Sequence, residues 1–134
     1  DLVLTKLQSV RHCLDRIESK KPFSEEELEK NYDLQDILSV NLERAVQTIV
    51  DVGLHILARD FNERPGDMGS VFEALARKSI IAEPLAERLK KSVGFRNIAV
   101  HEYRKIDWKI VSAIVHNGLD DFRSYTRVIL EYVA

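Results

Sequence analysis

An all-α fold, an antiparallel up-and-down helical bundle, is what this sequence predicts, and three observations predict it. Apolar residues recur at spacings of three and four through most of the chain, the signature of helices with one buried face. Glycine (5) and proline (3) are scarce among 134 residues, whereas small strand-rich folds spend more turn residues. The Asn117-Gly118 pair has no alternating strand residues beside it, so it reads as a break or kink inside a helix rather than as a hairpin turn. Hydrophobic residues make up 45% of the chain and charged residues 31%, enough apolar material for a core that needs no staple. No repeat, low-complexity stretch or linker divides it, and residues 1–134 read as one domain.

The elements follow in order. Leu4, Leu7, Val10, Leu14 and Ile17 share one face of a first helix over about residues 2–20, closed by Lys20-Lys21-Pro22. Ser24 can cap a short acidic helix whose first turn, Glu25–Glu27, suits the positive end of the helix dipole. The longest helix is expected from about Asp33 to Phe61, with Leu34, Leu38, Leu42, Ala45, Ile49, Val52 and Ile56 as its seam. After a loop at Arg64-Pro65-Gly66-Asp67, Ser70 and Glu73 have capping-box spacing, which predicts a short helix starting at Ser70. Pro84 suits the first turn of the next helix, with Leu85 and Leu89 inward, and Gly94 is expected to end or loosen it. Asp107 can cap a last helix whose seam runs from Ile110 and Val111 to Ile129 and Val133. Short loops between long amphipathic helices imply antiparallel neighbours, with short extra helices added to a four-helix core.

Composition bounds the function. The single cysteine, Cys13, precludes an intrachain disulfide, and no Cys/His cluster has zinc spacing, so no metal is expected. A di-metal carboxylate bundle is set aside because its inward Glu-x-x-His pairs are missing. No apolar run approaches a membrane span and no signal-peptide core stands near Asp1, so a reducing, cytoplasmic setting is expected. The net charge of −2 hides an asymmetry. Residues 24–44 hold seven acids (Glu25, Glu26, Glu27, Glu29, Asp33, Asp36, Glu43) against Lys30 and Arg44, a net of −5. Residues 87–105 hold six bases (Arg88, Lys90, Lys91, Arg96, Arg104, Lys105) against Glu87 and Glu102, a net of +4. That basic stretch could hold a polyanion despite the acidic total, or the two stretches could be solvated helix faces of opposite sign.

One segment carries chemistry. Gly94-Phe-Arg-Asn-Ile-Ala-Val-His-Glu-Tyr-Arg-Lys-Ile-Asp107 places Arg96, His101 and Tyr103 within eight positions. Arginine forks onto phosphate oxygens with a permanent charge. Histidine takes and returns protons near neutral pH, and tyrosine offers a hydroxyl for hydrogen bonding or modification. The other histidines, His12, His55 and His116, sit in helical segments as surface or boundary residues, and a lone His101 would be read the same way. On a continuous helix, residues five apart leave the axis about 140° apart. Either the segment is irregular, then, or a second subunit completes the site.

This Arg-x4-His-x-Tyr spacing, with its surroundings, resembles the HEPN superfamily and, within it, the HepT-type toxins. Asp33-Leu-Gln-Asp36 with Asn41-Leu-Glu-Arg-Ala45, Leu85-Ala-Glu-Arg-Leu89, Val93–His101 and Leu119-Asp-Asp-Phe122 extend the resemblance over nearly the whole chain. The resemblance implies a homodimeric, metal-independent endoribonuclease needing no cofactor. Arg96 and His101 would be catalytic and Asn97 supporting, with Lys90, Lys91, Arg104 and Lys105 as RNA-binding candidates. It also implies a minimal nucleotidyltransferase (MNT) antitoxin as partner, which transfers AMP to Tyr103. Each AMP would add a charge of about −1 beside Arg96. A non-catalytic subunit that binds nucleotide or regulates a nucleotidyltransferase is the alternative. A purely structural bundle explains the periodicity but gives no reason for the Arg-His-Tyr spacing.

Overall fold

The computed structural model describes residues 1–134. Seven α-helices follow one another: α1 (Leu2–Glu18), α2 (Glu25–Lys30), α3 (Tyr32–Phe61), α4 (Met68–Arg77), α5 (Glu83–His101), α6 (Trp108–Ala113) and α7 (Leu119–Val133). A 3₁₀ turn, Tyr103–Lys105, follows α5, and a π-helical turn, Ile114–Gly118, carries α6 into α7 without a loop. The long rods are therefore α1, α3, α5 and α6–α7, with α2 and α4 as short additions, as the sequence predicts. No helix is long and apolar enough to cross a membrane.

Local chemistry sets most boundaries. Ser24 Oγ accepts from the Glu27 amide at 3.0 Å, with Glu25–Glu27 in the first turn of α2. Asn31 caps α3 through the Leu34 amide at 3.0 Å. The far end of α3 stops at Asn62 in a left-handed conformation, φ 51°, which asparagine tolerates better than most residues. Asp107 caps α6 through the Lys109 amide at 2.9 Å. The break expected at Asn117-Gly118 is the π-helical turn, where the His116 ring nitrogen Nδ1 bonds the Ser112 carbonyl at 2.8 Å.

Two expectations are corrected. Helix α4 starts at Met68, not Ser70, because Asp67 is its cap. Asp67 accepts from the Ser70 amide at 2.9 Å and from the Ser70 hydroxyl at 3.0 Å, and these bonds hold its carboxyl below the usual range. Glu73 does not close a box; it pairs with Lys90 of α5. Nor does Gly94 end α5, which continues to His101. Glycine costs a helix about 1 kcal/mol. Phe95, buried directly after Gly94, offsets that cost, since a large apolar side chain contributes about 1.5–3 kcal/mol.

One contiguous core draws on all seven helices, with α3 contributing the largest share. At Gly53 of α3, a Cβ would lie 2.5 Å from Val71 Cγ1, 3.1 Å from Leu75 Cδ1 and 3.2 Å from the Tyr125 hydroxyl. Glycine is thus what lets α4 cross so close to α3. The fully buried Tyr125 donates its hydroxyl to the Ile49 carbonyl at 2.8 Å, which ties α7 to the middle of α3. This frame leaves the C-terminal end of α5, the 3₁₀ turn and the start of α6 against the first half of α3, where the motif lies.

Candidate active site

Arg96 and His101 both belong to the regular helix α5, so the irregular-segment alternative does not hold between them. They leave the axis about 140° apart. Arg96 takes the next place on the core-facing stripe after Leu85, Leu89, Ser92 and Val93, all buried. A permanently charged residue thus occupies a position that the helix otherwise gives to the interior. Its Nε is buried without a hydrogen-bond partner, while Nη1 donates to Asn97 Oδ1 at 3.3 Å. Asn97 therefore lies within hydrogen-bond reach of the arginine.

His101 is the last residue of α5 and is exposed. The helix ends there because Glu102, at φ −143° and ψ 53°, leaves helical geometry. The Lys105 amide then bonds the Glu102 carbonyl at 2.7 Å and the Ile106 amide bonds the Tyr103 carbonyl at 3.1 Å, which closes the 3₁₀ turn carrying Tyr103.

Tyr103 is fastened from outside its own segment. Its hydroxyl donates to Asp36 Oδ1 of α3 at 2.6 Å, and its ring meets Trp108 edge-on with centroids 6.0 Å apart. Partial burial and the Asp36 carboxylate push the phenol above its ordinary value, while the Ser39 hydroxyl pulls the other way. Asp36, Ser39 and Trp108 are residues that sequence reasoning missed. A shared helical register of Asp36 and Ser39 was visible, but nothing local connects them to a tyrosine 67 positions from Asp36.

The four RNA-binding candidates separate into different settings. Lys90 is paired with Glu73, and Lys105 with Glu102 at 3.1 Å. Lys91 lines a groove of about 460 Å³ between α5 and the α6–α7 rod, whose floor includes Phe95, Ile98 and Phe122. Arg104 is exposed on the 3₁₀ turn. A second, shallow groove beside Asp36 is lined by His12, Arg16 and Arg44; the two arginines are cations from α1 and α3 that the charge count of residues 87–105 passes over.

The chain is similar to several described proteins. It is 32% identical over 129 residues to the mRNA nuclease HepT of Shewanella oneidensis, covering 96% of each chain. It is 26% identical over 132 residues to the tRNA nuclease HepT of Aphanizomenon flos-aquae, covering 98% of this chain and 90% of that one. Among solved structures, the tri-AMPylated Shewanella oneidensis HEPN toxin in complex with its MNT antitoxin superposes with a TM-score of 0.91, at 31% identity and 98% coverage of each chain. A family model described as ribonuclease HepT-like matches residues 10–129. That span takes in the complete motif and most of the bundle around it, and the chain belongs to the HepT-like ribonuclease family.

Proposed function

We propose that this protein is the ribonuclease toxin of a toxin–antitoxin pair and that it cleaves RNA as a homodimer, with Arg96 and His101 from two copies meeting in one cleft. The observation that carries this reading is the regularity of α5 through both residues. One chain presents them on different sides of a helix, and a two-fold axis brings equivalent patches of two chains together. Val40, Ile98 and Val100 support it, since they leave apolar side chains 37%, 40% and 40% exposed around the motif, a surface that a second copy would cover.

In the cleft, His101 takes the proton of a ribose 2′-hydroxyl as that oxygen attacks the adjacent phosphorus. The bond from phosphorus to the 5′ oxygen breaks, that oxygen regains a proton, and a 2′,3′-cyclic phosphate and a 5′-hydroxyl result. Arg96, within hydrogen-bond reach of Asn97, binds the phosphate and stabilises the charge growing on its oxygens. The guanidinium supplies the positive charge that a metal would otherwise bring, so the reaction proceeds in EDTA. Lys91 and Arg104 guide the RNA by charge, with Lys90 and Lys105 contributing less because of their carboxylate partners. The partner is an MNT antitoxin that transfers AMP to Tyr103, placing phosphodiester charge where RNA phosphate binds.

Incubation of the unmodified protein with total RNA in EDTA tests this, beside Arg96→Ala and His101→Ala. Cleavage by the parent, lowered by about 10²–10⁴ when His101 is removed, is expected, and a DNA substrate of the same sequence stays intact. If RNA survives the parent while mass spectrometry shows Tyr103 unmodified, the catalytic reading fails and the non-catalytic regulatory subunit takes its place.

A further inference from the structure

Transfer of a nucleotidyl group to tyrosine has a proton problem. A neutral phenol is a weak nucleophile, and its proton must leave as the oxygen bonds to phosphorus. In this chain an acceptor already sits on that proton. The Tyr103 hydroxyl donates to Asp36 Oδ1 at 2.6 Å, within the range of a charge-assisted O–H···O⁻ bond. Both groups are exposed, so an incoming nucleotide can reach the oxygen without displacing core residues. The Trp108 edge contact limits where the ring can turn. Ser39, one helical turn beyond Asp36, donates its hydroxyl to the Asp36 carbonyl at 3.3 Å.

We propose that Asp36 is the catalytic base for nucleotidyl transfer to Tyr103, so that the toxin itself, and not only its antitoxin, carries part of the machinery of its own inactivation. The proposal rests on the reading of Tyr103 as the modified residue. Tyr103 Oη attacks the α-phosphorus of ATP, the bond from that phosphorus to the bridging oxygen breaks, and pyrophosphate leaves. The phenolic proton passes to the Asp36 carboxylate and from there to water. No oxidant or further reactant is needed. The Asp36 bond favours the neutral phenol at rest, so the proton moves only as the nucleotide is attacked, which is general-base behaviour. Once the oxygen is a phosphodiester it has no proton to give, and its charge repels Asp36. The contact that ties Tyr103 to α3 is thereby lost in the modified protein.

The test follows Tyr103 adenylylation by intact-mass and peptide mass spectrometry, with the toxin, its nucleotidyltransferase partner and ATP, from pH 6 to 9.5. Asp36→Asn keeps the shape and an acceptor oxygen but removes the base, and Asp36→Glu restores a carboxylate. Thermal melts check that each variant is folded. Asp36→Asn is expected to slow transfer by about 10²–10⁴ near neutral pH. Its rate should climb toward the parent as rising pH ionises the phenol directly, and Asp36→Glu should recover much of the loss. Transfer to Asp36→Asn at the parent rate overturns the proposal. So does a deficit of the same size at every pH, which marks a positioning contact instead. If the parent is not adenylylated on Tyr103, the underlying reading fails, and the proposal fails with it.

Discussion

Arg96 offers a case in which stability and function should move in opposite directions. It occupies a core-facing position of α5 and buries its Nε with no partner. A buried donor left unsatisfied costs about 1–3 kcal/mol. The lower end applies here, because the rest of the side chain is only half-buried and Nη1 reaches Asn97. Arg96→Met keeps a straight apolar stem, removes the orphaned N–H, and leaves helix propensity almost unchanged. A gain of about 1 kcal/mol is expected. A chain of this size loses about 2 kcal/mol of stability per molar urea, so the unfolding midpoint should rise by about 0.5 M. Parent and variant are compared by circular dichroism at one protein concentration, because the proposed dimer would couple stability to concentration. RNA cleavage by the variant should fall to background in the same preparation. A midpoint equal to or below the parent's would refute the reasoning, since it would mean that the guanidinium is satisfied where it lies.

Two further predictions test the frame and its surface. Gly53→Ala, despite the better helix propensity of alanine, should destabilise by about 1–3 kcal/mol, as overpacked cores do, because its Cβ would press on Val71, Leu75 and the Tyr125 hydroxyl; an unchanged urea midpoint would show that α4 can shift aside. Asp60, held to about 2 by Arg59 and by the Tyr132 hydroxyl, is a carboxyl whose folded value lies below its unfolded one. Its contribution is therefore complete above about pH 4 and is lost as pH falls toward 2. Tyr132→Phe should lower the melting temperature slightly above about pH 4 and flatten its dependence on pH within that window, so that the difference from the parent shrinks as pH falls toward 2.

The helices were legible because each solves a one-dimensional problem. Seam spacing, the Ser24 and Asp107 caps and the break at Asn117-Gly118 all depend on neighbours a turn or less away. The sequence reading went astray where two local solutions competed. Asp67 and Ser70 both suit a cap, and the choice fell to Asp67 once Glu73 was drawn across to Lys90 of another helix. Gly94 is a helix breaker by propensity alone, and the burial of Phe95 directly after it offsets that. At the site, the residue types and spacing of Arg96, His101 and Tyr103 were readable, as was the angle that separates the first two. The Asp36–Tyr103 bond was not, because it joins an acid read as part of a solvated face to a turn most of a chain away. Nor could spacing show that Arg96 points toward the interior, which depends on which stripe of α5 the fold buries.

The wide turn at Ile114–Gly118 has a consequence for how this family can change length. Val111, Val115 and Leu119 are buried at strides of four, and in a plain α-helix each such stride would rotate the stripe by about 40°. The wider π-helical turn absorbs that rotation, so it behaves as a one-residue insertion stored inside a rod rather than in a loop. Deleting one residue there would leave an unbroken helix, yet it would turn Trp108 about the axis relative to α7. A change in gene length that cost the bundle little would in this way loosen the contact on Tyr103.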